Sequence, residues 1–83
     1  MNIEFYRSEI NKIDLQLLKL LNKRARLAQK IGAMKQAQGL PIFAPEREHH
    51  ILTRLSQSNR GPLNTIGIQS IFEKIIEACR QLE

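Results

Sequence analysis

The sequence predicts an all-α fold of three helices, of which the first is unusually long. Large apolar residues recur at spacings of three and four over two stretches, which is the period of an amphipathic helix. No stretch alternates apolar and polar residues in the way of a half-buried strand. Glycine and proline cluster near positions 39–45 and 59–62, where they divide the chain into three segments.

The first predicted helix runs from about Glu4 to Gln38. Its large side chains form a seam along one face: Tyr6, Ile10, Ile13, Leu17, Leu20, Arg24, Leu27, Ile31 and Met34. Gly39 and Pro41 end the helix. Gly32 is the one internal residue that favours a break, and a helix folding back at this point is the alternative. Because the spacing continues unchanged past it, a continuous helix is favoured.

Two shorter helices follow. Proline suits the first turn of a helix, so Pro45 predicts the start of the second, which ends at 59–62. The third is expected to begin near Asn64 or Thr65 and to continue to the C-terminus. Its apolar stripe consists of Ile68, Ile71, Phe72, Ile75, Ile76, Cys79 and Leu82.

The length of the first helix predicts a second chain. A helix from Glu4 to Gln38 spans roughly 50 Å at 1.5 Å per residue. A compact domain of 83 residues has a diameter on the order of 30 Å. The helix therefore extends beyond the globule that one chain forms, and its apolar seam needs a cover. We expect residues 1–83 to form a single domain that assembles as an intertwined helical homodimer.

Composition narrows the class of partner. Thirteen Lys and Arg against eight Asp and Glu leave a net charge of +5, which favours an anionic partner. The basic residues form no continuous run and only 5% of residues are aromatic, which argues against nucleic acid. A hydrophobic content of 42% excludes a disordered basic tail, and one cysteine excludes an internal disulfide. Without a visible signal peptide or apolar membrane span, we expect a cytoplasmic protein that binds neither nucleic acid nor membrane.

Several cations lie where a core is expected. Arg24 occupies a seam position, where a charge is costly unless a carboxylate or a ligand pairs with it. An ion pair is the commoner explanation. Lys35 projects from nearly the same face about 16 Å further on, and Arg47 follows the loop 39–45 that returns past it. Arg7 lies roughly 25 Å before Arg24, so it reaches a shared ligand only from an antiparallel partner helix. Together these groups suit a compact, multiply anionic ligand.

Four segments match one known family in their order and spacing. They are Arg7-x-x-Ile10-x-x-Ile13-Asp14-x-x-Leu17-Leu18-x-Leu20-Leu21-x-x-Arg24, Ile31-Gly32-x-x-Lys35, Pro41-Ile42-x-x-Pro45-x-Arg47-Glu48 and Ile71-Phe72-x-x-Ile75-Ile76. No single segment is specific, but the set is. Over essentially its full length the chain resembles the AroQ class of chorismate mutases. The resemblance implies an intertwined homodimer whose active sites are lined by both chains, and the conversion of chorismate to prephenate on the route to phenylalanine and tyrosine.

The implied reaction is a unimolecular [3,3] rearrangement, for which no metal or cofactor is expected. A protein accelerates it by holding the reactive conformer and by placing donors near the ether oxygen, where negative charge develops. By resemblance, Arg24 and the partner's Arg7 clamp the carboxylates, and Lys35 donates to the ether oxygen. Arg47 supports the binding of the ring carboxylate, and Glu48 accepts from the ring hydroxyl.

Three positions depart from the family pattern. Ala44 replaces a residue that is commonly Asp, so a helix cap or loop contact is expected to be missing. Cys79 stands where the family often has a hydroxyl at the substrate, although a buried structural thiol is the simpler interpretation. Glu83 stands where a Gln often donates to the ether oxygen. Since a carboxylate repels the developing negative charge, activity is expected to need neutral Glu83. The alternative is a frayed terminus without a catalytic part.

Three other functions remain open at this point. An isochorismate pyruvate lyase shares the fold and its Arg and Lys anchors, and the run 44–47, Ala-Pro-Glu-Arg, resembles its loop. Glu48 favours the mutase, because an acceptor there suits the ring hydroxyl of chorismate. A mutase acting on 4-amino-4-deoxychorismate is a less favoured possibility. A non-catalytic helical dimer with a regulatory role represents a different class.

Overall fold

The computed structural model describes residues 2–83 of the chain. It contains three α-helices, α1 (Ile3–Gln38), α2 (Pro45–Ser58) and α3 (Thr65–Arg80), and the described residues form no strand. The prediction of an all-α chain with one long N-terminal helix is confirmed. The predicted end of the third helix is wrong by three residues, because α3 stops at Arg80 and the last residues form a turn.

Helix α1 is continuous over 36 residues. The side chain of Asn2 caps its start by accepting a hydrogen bond from the backbone N–H of Phe5 at 3.0 Å. Gly39 ends it with φ at 69°, a left-handed conformation that glycine adopts without steric cost. The alternative of a break at Gly32 is therefore wrong, since the helix continues for six residues beyond that glycine.

The two shorter helices begin differently. The Asn64 side chain caps α3 by accepting from the N–H of Gly67 at 2.7 Å. Ala44 precedes α2 and gives it no side-chain cap, as the departure at this position led us to expect. Pro45 in the first turn has no N–H that needs a partner, which lessens the cost of the missing cap.

Helix α3 provides the packing contacts between the helices. It packs against both α1 and α2, whereas these two helices do not pack against each other. The buried apolar residues lie at these contacts and are Ala28, Ile76 and Cys79. This core is small for a chain of 83 residues, which fits a domain that is stabilised by further association.

The apolar seam of α1 lies open along the molecule. The chain measures 55 × 24 × 15 Å and its radius of gyration is 15.8 Å, against about 12 Å for a compact chain of this length. Eight seam residues are 50–61% exposed: Tyr6, Ile10, Ile13, Leu17, Leu20, Leu27, Ile31 and Met34. An apolar stripe of this extent marks an interaction surface. No helix within residues 2–83 combines the length and the hydropathy that crossing a membrane requires.

Candidate active site

A pocket of about 400 Å³ lies where the C-terminal half of α1 faces α2 and the end of α3. From α1 it receives side chains at positions 24, 27, 28, 31 and 35, whose spacing puts them on one helix face. Its apolar walls include Leu27, Ile31, Ile42, Ile51 and Ile76. Its charged lining residues are Arg24, Lys35, Arg47, Glu48, Arg80 and Glu83.

The pocket brings together most of the residues that the sequence singled out. Arg24, Lys35, Arg47, Glu48, Cys79 and Glu83 all line it. Arg7 does not: it lies near the start of α1, where its side chain is 67% exposed and bonds to Glu4 at 2.9 Å. At 1.5 Å per residue it is roughly 25 Å from Arg24. A single chain therefore does not bring Arg7 to this pocket.

Lys35 is held from two sides. Its Nζ donates to the carbonyl oxygen of Ile42 at 3.0 Å and to Oε1 of Glu83 at 2.8 Å. The first contact ties it to the loop before α2, which returns past Lys35 as the sequence predicted. An ammonium group has three donors, so one N–H remains for a ligand. The two protein acceptors fix the position of the charge before any ligand arrives.

Glu83 packs tightly against α1 through Gly32. The Glu83 side chain is only 12% exposed. A Cβ on Gly32 would lie 2.7 Å from the Cα of Glu83 and 2.8 Å from its Cβ, closer than real contacts allow. Glycine at this position therefore lets the terminal residue approach the helix one turn before Lys35. This packed arrangement differs from the frayed terminus that was the alternative for Glu83.

Arg80 is a pocket residue that sequence reasoning missed. Its Nη1 donates to Oε2 of Glu48 at 2.5 Å, and its guanidinium lies 4.6 Å from the ring centroid of Phe43. The hydrogen bond to Glu48 raises the pKa of Arg80 above its ordinary value, so the guanidinium keeps its charge. The available signal was its spacing, because Arg80 follows the buried Ile76 by four residues and so lies on the inward face of α3.

The other two cations differ in burial. Arg24 is half-buried, and no carboxylate of residues 2–83 forms a salt bridge with it. The ion-pair explanation for Arg24, which is the commoner one for such residues, therefore does not hold within one chain. Arg47 is exposed at the rim of the pocket, one turn into α2. Both guanidinium groups are available to a ligand.

The charges of the pocket select a class of ligand. Four cations and two carboxylates line it, which leaves a net charge of +2. The buried side chains of Ala28, Ile76 and Cys79 provide an apolar floor. Within residues 2–83, no group of three His, Cys, Asp or Glu residues has the geometry of a metal site. The arrangement suits a small organic molecule with two negative charges and an apolar body.

Comparisons with known proteins agree on one family. The sequence profile of chorismate mutase type II matches residues 6–83. A bifunctional chorismate mutase/prephenate dehydratase of Aquifex aeolicus is 41% identical, over 93% of this chain and 22% of its own length. The chain thus spans about a fifth of the length of that relative. A chorismate mutase of Methanocaldococcus jannaschii is 35% identical over 93% of this chain and 79% of its own length.

A solved structure extends the likeness to three dimensions. The chorismate mutase of Helicobacter pylori, crystallised in complex with prephenate, superposes with a TM-score of 0.88. It is 36% identical in sequence, and the match covers 96% of this chain and 87% of that one. The likeness includes all three helices, since only a few residues of this chain lie outside it.

Proposed function

The chain belongs to the chorismate mutase type II family, and on this premise we propose that it isomerises chorismate to prephenate in the biosynthesis of phenylalanine and tyrosine. The observation that carries the proposal is the pocket with a net charge of +2. Chorismate has two carboxylates on a compact carbon skeleton, which matches that charge and the apolar floor. The prephenate bound by the Helicobacter pylori relative is an isomer of chorismate with the same two charges.

The reaction depends on the conformation in which the pocket binds chorismate and on the electrostatic field of the pocket, and not on a side chain that reacts with the substrate. Chorismate rearranges without exchanging atoms with the protein, so no nucleophile is involved. In the proposed complex Arg24 and Arg47 bind the two carboxylates and hold the side chain of chorismate over its ring. Fixing that conformer before the reaction removes an entropic part of the barrier. The unpaired state of Arg24 within one chain supports this role.

Lys35 has the main electrostatic role in the proposal. As the C–O bond of the ether breaks, negative charge grows on the oxygen. A donor that is already in position stabilises this charge without reorganising. The contacts of Nζ with Ile42 and Glu83 support such preorganisation, and the third N–H is free to donate to the ether oxygen.

Glu48 supports chorismate rather than isochorismate as the substrate. One of its oxygens, Oε2, accepts from Arg80, which leaves Oε1 to accept from the ring hydroxyl. The lyase and the mutase for 4-amino-4-deoxychorismate remain as alternatives, since they would use the same cations. Their products distinguish them.

A homodimer completes the proposed site. The exposed seam of α1 and the 55 Å length of the chain support pairing with a second copy. The distance of Arg7 from the pocket supports its delivery by the partner, where the partner's Arg7 adds a further cation for a carboxylate. The cytoplasmic location is part of this proposal and rests on the sequence alone.

The test is incubation of the purified chain with chorismate, isochorismate and 4-amino-4-deoxychorismate. Conversion of chorismate to prephenate is the expected result, and salicylate with pyruvate from isochorismate would instead establish the lyase. Lys35→Ala should reduce kcat by about a hundredfold or more, because it removes the donor to the ether oxygen. Lys12→Ala is the matched control, since Lys12 pairs with Glu9 on the exposed part of α1. Absence of turnover with all three substrates would leave the non-catalytic dimer.

A further inference from the structure

Arg80 is the pocket cation that the family resemblance leaves without a role. We infer that it is a positioning residue, which holds Glu48 so that one carboxylate oxygen faces the ring hydroxyl of the substrate. The inference rests on the proposed function and adds to it a determinant of specificity. It starts from the hydrogen bond between Nη1 of Arg80 and Oε2 of Glu48.

The architecture makes this contact the link between two halves of the pocket. Lys35 lies on α1 and Glu48 on α2, and these helices do not pack against each other. Helix α3 packs against both and ends at Arg80. The distance between the donor at the ether oxygen and the acceptor for the hydroxyl therefore depends on how α3 holds α2. Inside the pocket, the Arg80–Glu48 contact fixes that relation.

The surroundings of Arg80 restrain its side chain. Its guanidinium stacks over Phe43, which lies in the loop just before α2, at 4.6 Å from the ring centroid. The Arg80 side chain is 29% exposed and that of Glu48 is 23% exposed, so solvent screens the pair only in part. Arg80 also lies in the last turn of α3, where a positive charge interacts favourably with the helix dipole. A loop, a carboxylate and a helix end thus hold one guanidinium.

The charge of Arg80 also reduces the repulsion between Glu48 and the substrate carboxylates. Glu48 is an anion in a pocket that receives a dianion, and without compensation it would repel the substrate carboxylates. Arg80 neutralises it at hydrogen-bond distance, while Oε1 of Glu48 keeps its capacity to accept. The pair therefore presents an acceptor to a hydroxyl without presenting a net negative charge.

The competing explanation is that Arg80 leaves Glu48 and binds a substrate carboxylate itself. A double-mutant cycle on kcat/KM separates the two, using Arg80→Met, Glu48→Ala and the double variant. If Arg80 acts through Glu48, Arg80→Met lowers kcat/KM for chorismate about tenfold in the natural background, the size expected for a hydrogen bond between charged groups. The same change has no further effect when Glu48 is already Ala. Arg80→Lys, which keeps the charge but not the planar fork, should recover part of the loss.

Lys74→Met is the matched control. Lys74 also lies on α3 and pairs with Glu77, but its side chain is 83% exposed and lies outside this pocket. It should leave kcat/KM unchanged. Equal losses from Arg80→Met in both backgrounds, or no loss in either, would overturn the inference. If Arg80→Met does not fold, Arg80→Lys and Arg80→Gln replace it in the same double-mutant cycle with Glu48→Ala.

A chain without mutase activity would refute the proposed function but would still allow this inference to be tested. The double-mutant cycle is then measured by thermal unfolding. If the two residues are coupled, the double variant loses less Tm than the sum of the losses of the two single variants. Additive losses in Tm would show that Arg80 does not hold Glu48, and would overturn the inference by themselves.

Discussion

Gly32 and Glu83 explain at the residue scale how Lys35 is held. A glycine in the middle of a helix is unfavourable by about 1 kcal/mol relative to alanine. In this chain it makes room for the backbone of Glu83, whose carboxylate then reaches Nζ of Lys35 at 2.8 Å. The loss of helix stability at Gly32 therefore accompanies the close approach that places Glu83 beside Lys35.

Gly32→Ala should separate helix stability from activity. The new methyl group favours α1 by helix propensity, but it would lie 2.7 Å from the Cα of Glu83 and displace that residue. We expect kcat to fall about ten- to a hundredfold, because a small misplacement around Lys35 disturbs the reactive geometry. In a chain that ends at Leu82 the substitution should have no further effect on kcat and should raise Tm. A loss of activity of equal size in both backgrounds would contradict this explanation.

Glu83→Gln tests the effect of the charge beside Lys35. In the structure Oε1 of Glu83 accepts from Nζ of Lys35 at 2.8 Å, so the group is placed as an acceptor and not as the neutral donor that the sequence led us to expect. A carboxylate there repels the negative charge that develops on the ether oxygen, whereas an amide accepts from Lys35 and also donates to that oxygen. We therefore expect Glu83→Gln to raise kcat for chorismate. An unchanged or lower kcat would contradict a cost of this charge.

Helix α3 determines the relation between the other two elements. It contacts α1 and α2, which do not contact each other, and its last turn supplies Arg80 to the pocket. Helix α2, by contrast, has no side-chain cap at its start. The pocket thus has one well-anchored wall on α3 and one weak point before Pro45.

Ala44→Ser should strengthen that weak point. A serine at the N-cap accepts from a free N–H of the first turn and stabilises a helix by about 1 kcal/mol relative to alanine. We expect a rise of a few degrees in Tm, measured by circular dichroism, with little change in kcat because serine adds no charge to the pocket. Ala37→Ser, inside α1, is the matched control and should not raise Tm. A higher Tm in both variants would mean that capping is not the cause.

The whole molecule is elongated, with the apolar seam of α1 exposed and Arg7 far from the pocket. The proposed dimer covers the seam and brings the partner's Arg7 to the pocket. Both features belong to α1, so in the proposed dimer the surface that covers the seam also completes the site. This coupling allows the dimer to be tested through activity as well as mass.

Mixing two inactive variants should restore activity. In an Arg7→Ala chain paired with a Lys35→Ala chain, one site carries both substitutions and the other carries neither. Random exchange of subunits should therefore recover about a quarter of the wild-type activity, while each variant alone stays inactive. Sedimentation would show a dimer in every sample. No recovery after complete exchange, or a monomer in solution, would exclude a site that is shared between chains.

The sequence by itself determined the helices and most of the pocket's members. Periodicity and glycine or proline stops depend on neighbouring residues, so α1, α2 and α3 were predictable to within a few residues. Helical spacing similarly placed Arg24 and Lys35 on one face. The resemblance added Glu48 by its type and position, and Glu83 by its position alone, because the family often has Gln there.

Only the tertiary structure decided which charges pair and why the glycine is needed. The contact of Arg80 with Glu48 joins residues 32 positions apart, and that of Lys35 with Glu83 joins residues 48 apart. No local pattern encodes such pairs, because they depend on how α3 packs against the other two helices. Gly32 appeared in the sequence as a candidate break, and in the fold it is a point of close approach. The physical reason is the same in each case: packing between distant segments determines contacts that spacing along one helix does not contain.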